Sequence, residues 1–237
     1  MIITPLNALL VLLYGLAAGV ALWVTGVDVG LQVWLYANYD QTFNDQMRWL
    51  STLALGRNQV FGLLAVGLST ALWVGGCRGV WRALQVSGEQ MLAWARGQRG
   101  WLAGWHAQPV LARLTLTALP VLAVAGVVQV ILKFLIGRPR PKELLWNGTD
   151  PFSPHPFSLD SSFWALPSGH TTSTFAIFTW LMLGLPRWRV PLLMAAMVLS
   201  ASRFLAVTPH YLGDVVAGAG VGAACALWLW SRTQHAR

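Results

Sequence analysis

The chain has 237 residues, of which 56% are hydrophobic, only 10% are charged and 14 are tryptophan. A soluble domain carries about a quarter charged residues, so this composition excludes an ordinary soluble enzyme and indicates a polytopic membrane protein. The net charge of +8 does not indicate nucleic acid: the basic residues are scattered at the ends of apolar runs, where topology, anionic lipid and an anionic substrate explain them better.

Six apolar runs are read as spans, at residues 6–27, 58–76, 111–135, 166–185, 190–205 and 211–230; the fourth and fifth are short, as suits spans whose outer ends sit in a recessed polar site and not in lipid. The expected fold is therefore all-α: one domain over residues 1–237, six transmembrane helices and short interfacial helices between them. The first run lacks a basic n-region and is long for a signal peptide, so it is read as a span. Cys77 closes the second run and Cys225 lies inside the last; neither a disulfide nor a metal site is expected from two cysteines.

Loop charges set the expected orientation. Arg78, Arg82, Arg96 and Arg99 face only Glu89 in the loop after the second run, Arg187 and Arg189 join the fourth to the fifth, and Arg232 and Arg237 close the chain. These segments should be cytoplasmic. The first outer loop balances Asp28, Asp40 and Asp45 against Arg48 and Arg57. Residues 32–49 and 81–105 mix aromatics with charges, as helices lying on a membrane surface do, and simple anchoring is the reading preferred for both.

Charge at the ends of apolar segments is costly and marks candidate sites. Lys133 ends the third run, and Gly137, Pro139 and Pro141 then break the helix so that Arg140 can fold back toward Lys133. An ammonium and a guanidinium suit a phosphate, although Lys133, Arg138 and Arg140 could equally snorkel to headgroups. Pro167-Ser168-Gly169-His170 opens the fourth run. Ser168 is a natural N-cap, Gly169 allows close approach of an anion, and His170 can donate a proton; an ordinary helix start with an interfacial histidine is the alternative. His210 and Asp214 share a helix face at i and i+4, so the carboxylate can orient the imidazole for attack. Arg203 adds a cation at the end of the fifth run. A structural His–Asp pair or a metal pair are the other readings, and the surrounding cations disfavour a metal. His106, His155 and His235 have no such partners in sequence, and of these only His155 could touch a substrate. By span parity, all three stretches converge on one membrane face.

Together, Lys133 with Arg140-Pro141, Pro167-Ser168-Gly169-His170, and Ser202-Arg203 with His210 and Asp214 resemble the type 2 phosphatidic acid phosphatase family of membrane lipid phosphatases. The family signature is K-x-x-x-x-x-x-R-P, P-S-G-H and S-R-x-x-x-x-x-H-x-x-x-D. One departure is that six residues, not five, separate Arg203 from His210, so the intervening loop is expected to bulge. The resemblance implies metal-independent hydrolysis through a phosphohistidine. In that scheme His210 is the nucleophile, Asp214 its orienter and His170 the acid, while Lys133, Arg140, Ser168, Gly169 and Arg203 hold the phosphate, with no cofactor.

The resemblance implies a phospholipid or polyprenyl phosphate substrate in the bilayer of a bacterial inner membrane, and loop charge with span parity places both termini in the cytoplasm and the site in the periplasm. Undecaprenyl diphosphate is the preferred substrate, with phosphatidylglycerophosphate or lipid A as alternatives. A lipid phosphotransferase would use the same motifs. A non-catalytic lipid-binding or transport protein would have no need of His210. Neither nucleic acid nor any particular oligomeric state is indicated.

Overall fold

The computed structural model describes residues 3–53 and 110–234. The second expected span, the 81–105 segment, the arginines of that loop, His106 and His235 lie outside the described residues. Where regular structure is described it is helical: α1 (Pro5–Val24), α2 (Val27–Ala37), α3 (Gln41–Leu53), α4 (Val110–Ile136), α5 (Pro141–Asn147), α6 (Gly169–Gly184), α7 (Arg189–Leu205) and α8 (Leu212–Gln234), with short 3₁₀ turns at Ser161–Phe163 and Pro186–Trp188. Among the described residues, four stretches are long and apolar enough to cross a membrane: Pro5–Val24, Pro120–Asn147, Pro186–Leu205 and Leu212–Arg232. The fourth expected span is the 16-residue α6. At 1.5 Å per residue it covers about 24 Å, short of a ~30 Å hydrocarbon core. Residues 166 and 167 form a bend and Ser168 is extended, so the helix begins only at Gly169.

Local sequence explains the ends of these helices. Thr4 caps α1 in a reciprocal capping box with Asn7, and Pro5 occupies the first turn, where its missing N–H costs nothing. α4 stops at Ile136 because Gly137 takes a left-handed φ of 63°, and a Cβ there would run into the His155 carbonyl. Pro139 and Pro141 then prevent helical continuation until α5 begins at Pro141.

α8 is the central element, packed along α1 and α6 and touching α4 and α7. Small residues make this possible. A Cβ on Gly220 would lie 2.6 Å from Gly15 Cα of α1, and one on Gly218 would lie 2.7 Å from the Ser168 carbonyl. Helices in lipid gain little from apolar burial alone and associate through such close backbone approach. Beside this seam, Leu114, Val121, Ala125, Ala176, Trp180, Val221 and Cys225 form the apolar core, and the Trp180 indole donates to the Leu114 carbonyl at 3.2 Å.

The segment between the first two expected spans is helical over most of 27–53, as α2 and α3, in keeping with the helix expected at 32–49, and it is also packed against the rest of the protein. Asp28 is fully buried, and α3 packs on α7. Polar residues of both helices find partners inside the protein.

Gly220→Val should prevent α1 and α8 from closing and lower the thermal unfolding temperature in detergent sharply. Gly30→Ala, with nothing within 4 Å of its added Cβ, should leave that temperature unchanged or raise it slightly, for a gain in stability of up to about 1 kcal/mol. Equal unfolding temperatures for the two variants would show that the α1–α8 seam does not depend on glycine.

Candidate active site

The three sequence stretches meet at the N-terminal ends of α6 and α8 and the C-terminal ends of α4 and α7. The Ser168 amide donates to the Asp214 carbonyl at 2.9 Å, which ties the start of α6 to the start of α8. The stretch after α4 is held by the 155–165 segment: His155 N–H donates to the Gly137 carbonyl (2.8 Å), Ala165 N–H to Arg138 (3.0 Å), and Arg140 N–H to Ser162 (2.9 Å). The His155 ring lies against Phe163, with centroids 4.1 Å apart.

His210 is buried in the turn before α8. Its Nδ1 faces Asp214 Oδ2 at 3.5 Å, longer than a hydrogen bond; contacts of this kind commonly tighten when substrate is bound. Arg203, Lys133, Arg140 and His170 all act electrostatically on the imidazole. Burial first, then these charges, holds its pKa well below the ordinary histidine range, so the ring is neutral. Lys133 is itself within electrostatic reach of Arg140, Asp214 and Arg203. Arg140, Arg203, Asp214 and His170 thus lie within electrostatic reach of Lys133 or His210.

Two local expectations are refined. Ser168 occupies the N-cap of α6, but its side chain makes no cap bond; its buried hydroxyl instead receives the Thr171 hydroxyl at 3.1 Å. The 206–210 segment does bulge. Val207 takes a left-handed φ of 60°, rare for a β-branched residue, and helix α8 starts at Leu212, beyond Pro209.

Sequence reasoning missed the group that holds Asp214. Arg138 is completely buried. Its guanidinium forks onto Asp28 at 2.9 and 3.0 Å, and its Nη1 also donates to Asp214 Oδ1 at 2.8 Å. The ion is sandwiched between aromatic faces, 4.1 Å from the Tyr211 centroid and 4.9 Å from that of Trp23. Asp28 Oδ2 also accepts the Gly213 amide, and Asp214 Oδ2 the Tyr211 amide at 2.8 Å. Neither Arg138 nor Asp28 is therefore a headgroup or loop charge. The available signal was an aspartate immediately after an apolar run, paired in principle with the surplus arginine of Arg138-Pro139-Arg140-Pro141.

Arg138→Gln should leave two carboxylates buried without a counter-charge and cost about 3–5 kcal/mol, seen as loss of folded protein or a large drop in unfolding temperature. Arg140→Gln, two residues away and partly exposed, should leave that temperature nearly unchanged. Equal stability of the two variants would show that the buried triad is not a structural requirement.

Comparison with known proteins gives a consistent result. The chain is 40% identical over 99 residues to a lipid A 1-phosphatase of Rhizobium johnstonii, a match covering 42% of this chain and 39% of that protein. It is 39% identical over 98 residues to the lipid A 1-phosphatase of Rhizobium etli, covering 41% of each. These matches span about two fifths of the length of the curated relatives. The fold is similar to that of a transmembrane PAP2-type phosphatidylglycerolphosphate phosphatase from Bacillus subtilis, with a TM-score of 0.57 and 17% identity over 96% of this chain and 95% of that one. The sequence model of the PAP2 superfamily matches residues 114–237, which is more than half of the chain and contains Lys133, His170, Arg203, His210 and Asp214, so the chain belongs to the PAP2 superfamily, the type 2 phosphatidic acid phosphatase family.

Proposed function

We propose that this protein is a membrane lipid phosphatase that hydrolyses a lipid phosphate or diphosphate through a covalent phosphohistidine and without a divalent metal. The observation that carries the reading is a buried, neutral His210 with a carboxylate one turn away, under the charges of Arg203, Lys133 and Arg140 and beside His170. With Nδ1 turned to Asp214, Nε2 of His210 attacks phosphorus. The bond from phosphorus to the lipid oxygen breaks, and that oxygen takes a proton from His170. Water then attacks the phosphohistidine, giving a proton back to His170; the P–N bond breaks and phosphate leaves. Lys133, Arg140 and Arg203, with Ser168 and the Gly169 amide, stabilise the charge that gathers on the phosphoryl oxygens, a role a metal ion fills elsewhere.

The domain is read as a single six-span unit of a bacterial inner membrane, with both termini cytoplasmic and the site periplasmic. Loop charge and span parity support this. The names of the rhizobial relatives favour a phosphorylated glycolipid of the lipid A type as the first substrate to test. Undecaprenyl diphosphate, preferred from the sequence, and phosphatidylglycerophosphate follow.

Purified protein should release inorganic phosphate from at least one of these lipids in excess chelator; complete loss restored by magnesium would refute metal independence. Phosphorylated acceptor lipid in place of free phosphate would identify a phosphotransferase. Turnover on no lipid phosphate, with binding intact, would identify a non-catalytic lipid-binding protein. His210→Ala should be inactive on every substrate, and labelled phosphate still trapped on this variant would reassign the nucleophile. His170→Ala should lose roughly 10²–10⁴-fold on a phosphate monoester and less on an aryl phosphate or diphosphate, whose leaving group needs little help; equal losses would refute its role as the acid.

A base whose pKa is lowered stays neutral to lower pH. The acid limb of kcat/KM should therefore lie below the ordinary histidine range, with activity falling only as pH drops through the lowered value. Arg203→Gln removes the largest charge acting on His210, so the limb should move to higher pH. Measuring both on one substrate cancels the substrate's own titration, and an unmoved limb would mean that Arg203 does not act on His210.

A further inference from the structure

We infer that α2 and α3 form a polar brace that sets the bulged 206–208 turn and aims Arg203 at the phosphate, making Ser51, Asn44, Arg48 and Gln32 positioning residues for the reaction proposed above. Asn44, Arg48 and Ser51 stand at i, i+4 and i+7 of α3 and so form one stripe. Each faces the chain between Arg203 and His210 or Arg203 itself. With its amide oriented to satisfy both ends, Asn44 donates to the Ala206 carbonyl at 3.0 Å and accepts from Arg48 Nε at 3.1 Å. Arg48 Nη2 donates to the Thr208 hydroxyl at 3.1 Å. Ser51 Oγ accepts from Arg203 Nη1 at 3.0 Å and donates to the Arg48 carbonyl at 2.7 Å. From α2, Gln32 donates to the carbonyl of Val207, the residue in the left-handed conformation.

Three consecutive residues of the bulge are thus held from outside, and Gln32, Asn44 and Ser51 are all buried. Burying amide and hydroxyl groups is costly unless they are hydrogen-bonded, and here their partners lie on the segment between a phosphate-binding candidate and the nucleophile candidate. Strained backbone persists only where its surroundings over-determine it. The brace accounts for how a six-residue spacing can deliver the same two groups as a five-residue one: the additional residue is absorbed where α2 and α3 grip the chain. Positioning errors of this scale are costly to catalysis even when the residues concerned never touch substrate.

This inference rests on the phosphatase reading, and a double-mutant cycle on the full-length protein in detergent separates the two. Ser51→Ala should weaken competitive inhibition by inorganic phosphate and lower kcat/KM by about tenfold, the scale of one lost hydrogen bond to a charged group. Its tryptophan-monitored unfolding temperature should hardly move. In an Arg203→Ala background the same change should alter neither quantity by more than about twofold, because coupled residues are non-additive. Asn44→Leu should lower kcat while inorganic phosphate still competes more strongly than in Arg203→Ala. Additive losses for Ser51→Ala and Arg203→Ala, alongside an inactive His210→Ala, would overturn the brace alone. A fully active His210→Ala would overturn the phosphohistidine reading and the brace with it.

Discussion

A guanidinium with no access to water, clamped between two carboxylates and two aromatic rings, is the interaction on which the rest of this molecule depends. Moving such ions out of water costs several kcal/mol each, and the attraction between them offsets that only with good geometry and filled hydrogen-bond positions. Arg138 answers with a forked pair to Asp28 and a further bond to Asp214, made by its two terminal nitrogens, while its buried Nε has no hydrogen-bond partner. The three groups come from the start of α2, the break after α4 and the start of α8. None can be buried alone, so the segments must assemble together. Asp214 is thereby fixed from one side by Arg138 and from the other by the Tyr211 amide, and the carboxylate that faces His210 is already held before any substrate arrives.

That arrangement divides the cations into two kinds. Arg138 is neutralised by carboxylates and contributes structure. Lys133, Arg140 and Arg203 lie within electrostatic reach of His210. Three cations around one imidazole are the electrostatic character expected of a phosphate site. The glycine seam between α1 and α8 serves the same end, because it brings the base of α1, with Trp23, and the first turn of α2, with Asp28, against the N-terminus of α8.

α2 and α3 show that an amphipathic segment can have its polar side covered by protein. Exposed Trp34, Tyr36, Tyr39, Phe43 and Trp49 do give this region the amphipathic look of an interfacial segment. Its polar side, however, is spent on backbone carbonyls and hydroxyls at residues 206–208 and on Arg203. Periodicity locates a polar face but does not say whether water or protein covers it.

The sequence by itself determined the helical class, the positions of the long apolar helices, the break at Gly137 and the set of residues that gather around His210. Those follow from short-range causes: runs of apolar side chains, glycine and proline backbone limits, and an i, i+4 pair on one face. Family membership was legible for the same reason, since the motif spacings are local. Tertiary structure alone decided that Arg138 is buried between two carboxylates, that Asp28 is a buried counter-ion and not a loop charge, and that α3 turns its stripe inward. Each of those outcomes depends on a partner between 76 and 160 residues away in the chain. A charge's role is set by what else is desolvated beside it, and no pattern within a few residues of Arg138 records that.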